Sequence, residues 1–477
     1  MRIVRMTLEC LSPLHCGGGE ESWLQDQPVV RDAFGCWYIP GTSITGTLRA
    51  IAERLDRDVA ASLFGGERAS LFWASDARLL DYDGRPVLDK LLTGEEGDLP
   101  SGPFLRDHVR LDCESETAEH GGKFDEEIVP SGTRLALELT FDPWDRTEVE
   151  KELALFDQLC ALAAQGVLSL GGKGTNGLGR YRALTTECRD FDLTTFTGMQ
   201  DWLRLSSHAG FSEKDGGIPV VLPQAPVIER KTGFSGMLEI TLEADGPLIV
   251  GGGASLTADD DIAFATTPSF DYAQRCLVDR FVIPGSSVKG AFRHAMYRIC
   301  LARGLDGERA QALLRPLFGH ADGDTGQRGK LSFHEADLGA VRPLSVPHVA
   351  IDRFSGGALD GALFSEGPVW RPGMPVSISI TLDGLEPHEA ALLFHALFDL
   401  ADGALPLGGG IGRGCGRLVL RAGTKNPIQR FAAWTGALYQ NGEALRFSDA
   451  DAMFRIFAQL DEALNKVLEA WKKRQLP

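Results

Sequence analysis

"HCGGGEESWLQDQPVVRDAFGCWYIPGTSITGTLR" occupies residues 15–49, and "VGGGASLTADDDIAFATTPSFDYAQRCLVDRFVIPGSSVKGAFR" occupies residues 250–293. Each stretch runs from a glycine triplet to Ile-Pro-Gly, two hydroxyl residues and a short apolar-striped segment ending in arginine. The likeness continues outward on both sides. Upstream, "VRMTLECLSPLHCGGG" (4–19) parallels "LEITLEADGPLIVGGG" (238–253). Their apolar residues alternate, at Val4, Met6, Leu8 and Cys10 and at Leu238, Ile240, Leu242 and Ala244, which is the period of a half-buried strand.

Downstream, "LFGG" at Leu63 matches "LFGH" at Leu317, and "HVRLD" at His108 matches "HVAID" at His348. Phe124 and Phe364 follow at the same separation. Alternating runs come next, on Leu135, Leu137 and Leu139 and on Val376, Ile378 and Ile380. Helical patterns cover 148–164 and 386–401, and each copy closes on a glycine-rich loop, "LGGKGTNGLGRYRAL" from Leu170 and "LGGGIGRGCGRLVL" from Leu407. Landmarks repeating in one order mark a duplicated unit. The order strand, helix, strands, helix, strand predicts an α+β protein with two tandem ferredoxin-like (RRM-like, βαββαβ) domains. The predicted boundaries are 1–190, a linker at 191–235, 236–422, and a helical C-terminal tail at 423–477.

Bulk composition narrows the function. The chain has 477 residues, 43% of them hydrophobic, and a net charge of −18, which excludes general polyanion binding by the whole surface but permits a local basic groove. Nine cysteines are scattered with no Cys-x-x-Cys pair, so reduced thiols are expected and zinc is not. No apolar run reaches membrane-spanning length, so no membrane contact and a cytoplasmic location are expected.

The Pro-Gly-Thr-Ser and Pro-Gly-Ser-Ser turns set Thr42, Ser43, Ser286 and Ser287 ahead of helices whose free N–H groups suit a phosphate. "GTSITGT" lacks the Gly-Lys-Ser/Thr ending of a P-loop, so no nucleotide cofactor is expected. Glycine-rich loops let a backbone approach a polyanion closely, and Lys173, Asn176, Arg180, Arg413 and Arg417 stand beside them. The pairing of such loops with such helix starts points to nucleic acid.

The N-terminal strand, "PLHCGGG", "DQPVVRD", "YIPGTS", "LFGG" and the glycine-rich closing loop together resemble the RAMP proteins of CRISPR systems. The resemblance is strongest to the Cas7-like backbone subunits of type III effector complexes, here with two units fused as in type III-D-like and III-E-like systems. It spans roughly 1–185 and, more loosely, 236–422. It implies that each unit holds CRISPR RNA through its glycine-rich and Pro-Gly-Ser loops, with a protruding β-hairpin thumb that flips out a target nucleotide. The implied partners are CRISPR RNA, complementary target RNA, and the neighbouring backbone, large and small subunits. Guide pairing then supplies sequence specificity, while the protein reads shape and backbone.

The resemblance further implies that Asp26, in "LQDQPVVRD", is the catalytic aspartate of target-RNA cleavage, acting as base or holding Mg²⁺ or Mn²⁺ while a 2′-hydroxyl attacks the adjacent phosphate. The glycines Gly17, Gly18, Gly19, Gly251, Gly252 and Gly253, with His15, Arg49, His108, Arg110, Lys289, Arg293 and His348, are the remaining RNA-contact candidates. Asp32, beside Arg31, reads as a turn residue with a local ion pair, and pairing of His108 with Asp112 is a minor alternative for acid–base work.

In the second unit, aligning Pro28 with Pro268 sets Thr266 opposite Asp26, so that unit is expected to bind RNA without cutting it. The alternative carboxylates there are Asp259, Asp260, Asp261 and Asp271. Two other functions compete with target cleavage: a non-catalytic RNA-binding scaffold, and a CRISPR RNA-processing endoribonuclease, which would rest on histidine acid–base chemistry.

Overall fold

A computed structural model of the chain describes residues 1–19, 26–66, 68–93, 102–112, 114–115, 117–143, 146, 148–205, 210–212, 214–226, 232–251, 261–322, 325–420 and 434–473. In the first unit the N-terminal strand Arg2–Cys10 lies between Tyr181–Asp190 and Arg134–Phe141, and the short strands Phe72–Ala74 and Ala77–Leu79 extend the sheet beyond the latter. All these pairings are antiparallel, and the order is that of a ferredoxin-like sheet. The alternation read from the sequence sets the register. Met6 faces Leu137 across the pair, and Leu135, Leu137, Leu139 and Phe141 point inward against Ile44, Leu48, Phe156 and Leu159 of the helices Gly41–Leu55 and Glu150–Ala164.

The second unit repeats the plan: Leu331–Phe333, Pro375–Leu385, then Phe234–Ala244. Ile240 faces Ile378 as Met6 faces Leu137. Its fourth strand is built from two separate pieces. Leu418–Val419 pairs with Glu243 and Ala244, and Trp434–Gln440 pairs with Phe234 to Ile240 along the rest of the same edge. The expected helical tail therefore begins by completing a sheet. Only then comes the helix Ala450–Lys472, whose Leu460, Leu464 and Leu468 are buried. It lies on the second unit's own helix Pro387–Ala401, with Asp461 2.7 Å from His395 and the Phe398 and Phe457 rings 5.0 Å apart.

The stretch expected as a linker also has structure: a helix, Phe196–Leu203, and a strand, Ile218–Val220, that adds to Cys188–Asp190 at the edge of the first sheet. Among the described residues the cysteines are free, and no helix is long and apolar enough to cross a membrane.

The two units meet head to tail. The first unit's hairpin, Phe104–Leu111 with Ala118–Ile128, reaches over the second unit, where Arg106 contacts Thr267 and lies 3.0 Å from Glu335 Oε2. At the hairpin tip the Tyr297 hydroxyl donates to Glu114 Oε1 at 3.2 Å. Ser131 and Ser269 bridge the units through backbone, and the Arg134 N–H donates to the Tyr272 hydroxyl at 3.0 Å. Gly285, which opens the second unit's helix Gly285–Ala302, abuts the first unit's glycine-rich loop: a Cβ there would sit 2.2 Å from the Asn176 carbonyl oxygen.

Lys289, one turn along, donates to Thr175 Oγ1 at 2.8 Å and to Asn176 Oδ1 at 3.2 Å. Burial, and secondarily the charge of Arg293, pulls the Lys289 ammonium down to about 8 from its ordinary 10.5. The unfolded chain thus binds the proton more tightly, and stability rises with pH between about 8 and 10.5. Chemical denaturation across that range should show this rise in the wild type, and a smaller one in Lys289→Met.

Candidate nucleic-acid interface and catalytic loop

In both units the glycine-rich loop lies on the loop that precedes the glycine triplet. The Gly172 N–H donates to the His15 carbonyl at 2.8 Å and the Gly409 N–H to the Ile249 carbonyl at 2.7 Å. Glycine is required one position earlier. Gly171 (φ 73°) and Gly408 (φ 92°) are left-handed, and a Cβ would stand 2.2 Å and 2.1 Å from those same carbonyl oxygens. Gly171→Ala should cost at least about 1–2 kcal/mol from backbone conformation alone, with the clash added. Denaturant unfolding measures it.

Beneath this contact is a buried carboxylate. Glu126, 1% exposed, lies at the base of the first hairpin. Its Oε2 is 3.0 Å from His108 Nε2 and 2.9 Å from Lys173 Nζ, and its Oε1 is 3.6 Å from His15 Nδ1. Burial pushes the Glu126 carboxyl upward, but His108 and the charge of Lys173 outweigh it and hold the group below the ordinary carboxylate range. His108 stacks on Phe124 with 5.0 Å between ring centres, and His15 Nδ1 lies 2.8 Å from the Glu127 carbonyl, which sets its proton on that nitrogen. Lys173 also bonds the side chain of Gln27. One cluster therefore joins the glycine-rich loop, the hairpin, the His15 loop and the loop of Asp26.

The second unit rebuilds the cluster with different parts. Glu366, 3% exposed, lies 3.0 Å from His348 Nε2, and His348 stacks on Phe364. Ile249 stands at the place of His15, and Arg413 supplies the cation that Lys173 supplies in the first unit. The guanidinium reaches Glu366 from a later position in the glycine-rich loop: Gly410, not a lysine, caps the short 3₁₀ turn Ile411–Arg413 as Lys173 caps Gly174–Asn176.

Asp26 is exposed at the rim of this cluster. Its N–H donates to Asp125 Oδ1 at 2.9 Å, and its Oδ2 accepts from the Asp125 N–H at 3.0 Å. Gln27 then pairs in parallel with Glu126, and Gly17 pairs with Val29. In the second unit Ile262 pairs in parallel with Glu366, and Gly251 pairs with Phe264. Asp261, not Thr266, therefore occupies the register of Asp26. It repeats the local bonds too: its N–H donates to Ser365 Oγ at 3.1 Å, and its Oδ2 accepts from the Ser365 N–H at 2.7 Å. The proline alignment fails because Pro268 lies inside the strand Thr266–Asp271, while Ala263 holds the place of Pro28.

The other candidates sort by position. Gly17, Gly18, Gly19, Thr42, Ser43 and Gly251 are exposed on the loop and helix-start surface, and Ser286 and Ser287 are half-buried in the equivalent turn. Arg180 and Arg293 are exposed as well. Arg49 pairs with Glu53 at 3.0 Å, Arg110 lies 3.7 Å from Glu119, and Arg417 pairs with Asp245 at 2.8 Å. Asn176 and Lys289 are engaged with each other between the units. Asp271 Oδ1 accepts the Ala273 and Gln274 N–H groups of a tight turn, so it serves that turn. Asp259, Asp260, Gly252 and Gly253 lie outside the described residues.

One local pairing differs from expectation, and the minor alternative of a His108–Asp112 pair is not formed. Arg31 bonds Glu127 at 2.7 Å, whereas Asp32 accepts the N–H groups of Phe34 and Cys36. Asp112 closes the hairpin tip by accepting from Glu114 and Ser115, leaving His108 to Glu126. Glu126 and Glu366 themselves escaped the sequence reading. The signal was there, a glutamate two residues after each of the matched Phe124 and Phe364.

A groove opens between the units, lined by Thr47, Lys173 and Thr175 from the first and His320 and Arg328 from the second. Donor and cationic groups face into it, which suits a phosphodiester backbone. Among the described residues no three His, Cys, Asp or Glu side chains converge as a metal site. Asp26 alone, with phosphate oxygens and water, suits a hard divalent ion that keeps much of its hydration.

Residues 7–182 and 241–419 match the RAMP superfamily. The CRISPR system Cms endoribonuclease Csm3 of Methanocaldococcus jannaschii is 25% identical over 194 residues, which cover 38% of this chain and 77% of that protein. Two solved type III-B Cmr-beta chains, one from the apo state and one bound to cognate target RNA, are each 18% identical with TM-score 0.30, covering 38% of this chain and 97% and 96% of theirs. With two matched regions that together span most of its length, the chain belongs to the RAMP superfamily and carries two RAMP units in one polypeptide.

Proposed function

We propose that this chain is a backbone subunit of a type III CRISPR effector complex, that it holds CRISPR RNA across both units, and that it cuts complementary target RNA at two places, beside Asp26 and beside Asp261. The observation that carries the reading is the repeat of one loop geometry. In each unit an exposed or rim carboxylate is tied by two backbone-level bonds to the base of a hairpin, over a buried glutamate paired to a histidine and a cation. Duplicated scaffolds diverge freely at positions without a role, yet Asp26 and Asp261 keep both residue type and register.

The chemistry is transfer within the target strand. A 2′-oxygen attacks the neighbouring phosphorus, the 5′-oxygen of the next nucleotide leaves and takes up a proton from water, and a 2′,3′-cyclic phosphate and a 5′-hydroxyl result. The aspartate accepts the 2′-hydroxyl proton or holds a divalent ion against the phosphate, and such an ion when bound offsets the charge that develops on the phosphorane oxygens. His108 and His348 stand against buried glutamates rather than at an exposed rim, which speaks against histidine-driven guide processing. The test is cleavage of labelled complementary RNA by the purified complex. Chelation with EDTA should stop cutting and restored Mg²⁺ should recover it, while guide RNA stays bound throughout.

A further inference from the structure

The two aspartate loops are fastened alike through backbone and differently through side chains. In the first unit the Glu127 N–H donates to the Gln27 carbonyl at 3.0 Å, next to the bonds between Asp26 and Asp125. In the second unit the Ile262 N–H donates to the Ser365 carbonyl at 3.1 Å, and the Gly367 N–H donates to the Ile262 carbonyl at 2.9 Å. Gln27 adds a tie that Ile262 has no means to make. Its side-chain oxygen accepts from the Lys173 ammonium, whereas an isoleucine side chain offers no acceptor.

Lys173 is a firm anchor for that tie. Its Nζ lies 2.9 Å from Oε2 of the buried Glu126 and 5.4 Å from the centre of the Phe124 ring. Its backbone holds φ 56°, a left-handed conformation that residues with a Cβ disfavour, and Gly410 takes the matching cap position in the second unit. There the cation is Arg413, at the far end of the short turn, and it serves Glu366. The first unit thus keeps a lysine in a strained conformation at a place from which one ammonium reaches both Glu126 and Gln27. Gln27 is the residue next to Asp26, and Asp26 is exposed, so packing does not fix its side chain.

We propose that Gln27 is a positioning residue for the first cut: tied to Lys173, it holds Asp26 at the rim in the orientation that cutting needs, and the second cut has no counterpart to it. The inference rests on the function proposed above and makes the two sites unequal. Misplacing a reacting group by about 1 Å can cost about 10²-fold in rate, so a tie one residue from the carboxylate has leverage over it.

Two variants test the tie. Gln27→Ile installs the second unit's residue in a register that accepts it there, and Gln27→Glu keeps an acceptor at the same reach. Purified complexes carrying each are compared with wild type on labelled target RNA in Mg²⁺. At saturating target, Gln27→Ile should slow the first cut about tenfold, the weight of one hydrogen bond to a charged group, without changing the target concentration that gives half the maximal rate. Gln27→Glu should bring the first cut back to within about threefold of wild type, since a carboxylate also accepts from the ammonium. The second cut should keep its rate in both variants. A first cut indifferent to Gln27→Ile, a fall in both cuts together, a loss confined to target affinity, or no recovery with Gln27→Glu would each overturn the proposal.

Hydrogen exchange, followed by mass spectrometry on the peptide that contains Asp26 and Gln27, reads the tie without any cutting. Exchange there should be about tenfold faster in Gln27→Ile than in wild type, and equal exchange would overturn the proposal. Wild-type complex that cuts at neither aspartate would instead sink the function proposed above, and the exchange would still report whether Gln27 holds the loop.

Discussion

Asp26→Ala is expected to remove one cut from the target RNA under the proposed function, and Asp261→Ala another. Each loss should be at least about 10²-fold, the usual weight of a positioned acid–base group, and the double variant should leave the target intact. Both side chains are exposed at loop rims and their bonds to the hairpin base are local, so neither variant should disturb folding or guide binding. Denaturing gels of end-labelled target give the positions, and the two lost cuts should lie apart by the spacing of the units along the guide. Persistence of both cuts in the double variant would return the chain to the role of RNA-holding scaffold. Loss of only the Asp26 cut, with Asp261→Ala silent, would confine catalysis to the first unit.

The second large effect belongs to Glu126. Removing it by Glu126→Ala strands Lys173, His108 and His15 around a buried site, and breaking a buried pair from one side typically costs about 3–5 kcal/mol. Equilibrium unfolding in urea measures this. Because the cluster joins the glycine-rich loop, the hairpin base and the Asp26 loop, cutting at Asp26 should fall as well, while the second unit's cut, supported by its own Glu366, persists. The pH dependence has a definite sign. The Glu126 carboxyl is held below its ordinary 4.5, so its contribution is present above that value and is lost as pH falls through the lower folded value. Glu126→Gln should therefore flatten the acid limb of the stability profile. An unchanged acid limb would mean that the pairing carries no net stability.

Much of the fold was legible because burial imposes periodicity. Alternation at Met6 and Leu137, and at Ile240 and Ile378, marked strands that pair in the two sheets, and the repeat order pointed to the topology. The site was less legible where pairing crosses long sequence distances. Glu126 is charged and looks like solvent-facing strand in sequence, and only its contacts with His15 and Lys173, far away along the chain, reveal it as buried. Asp261 was obscured for another reason. Prolines are good local markers of turns, but Pro268 marks a strand in the second unit, so the alignment slid past the carboxylate that the bridge at Ile262 places. The strand Trp434–Gln440 was hidden because short strands carry little period, and because its sheet position had already been assigned to Leu418–Val419.

That divided fourth strand sets an order of events during synthesis. Every strand of the first sheet is in hand once residue 220 has been made, so the first unit has its whole sheet while the ribosome is still producing the second. The second sheet keeps an open flank along Phe234 to Ile240 until Trp434–Gln440 arrives, nearly two hundred residues after its partner strand. For that interval the nascent chain displays unpaired backbone donors and acceptors next to a strand rich in leucine and isoleucine, the kind of edge on which neighbouring chains aggregate. The polypeptide is thus most vulnerable to misassembly, and most dependent on chaperones, over the synthesis of its final third.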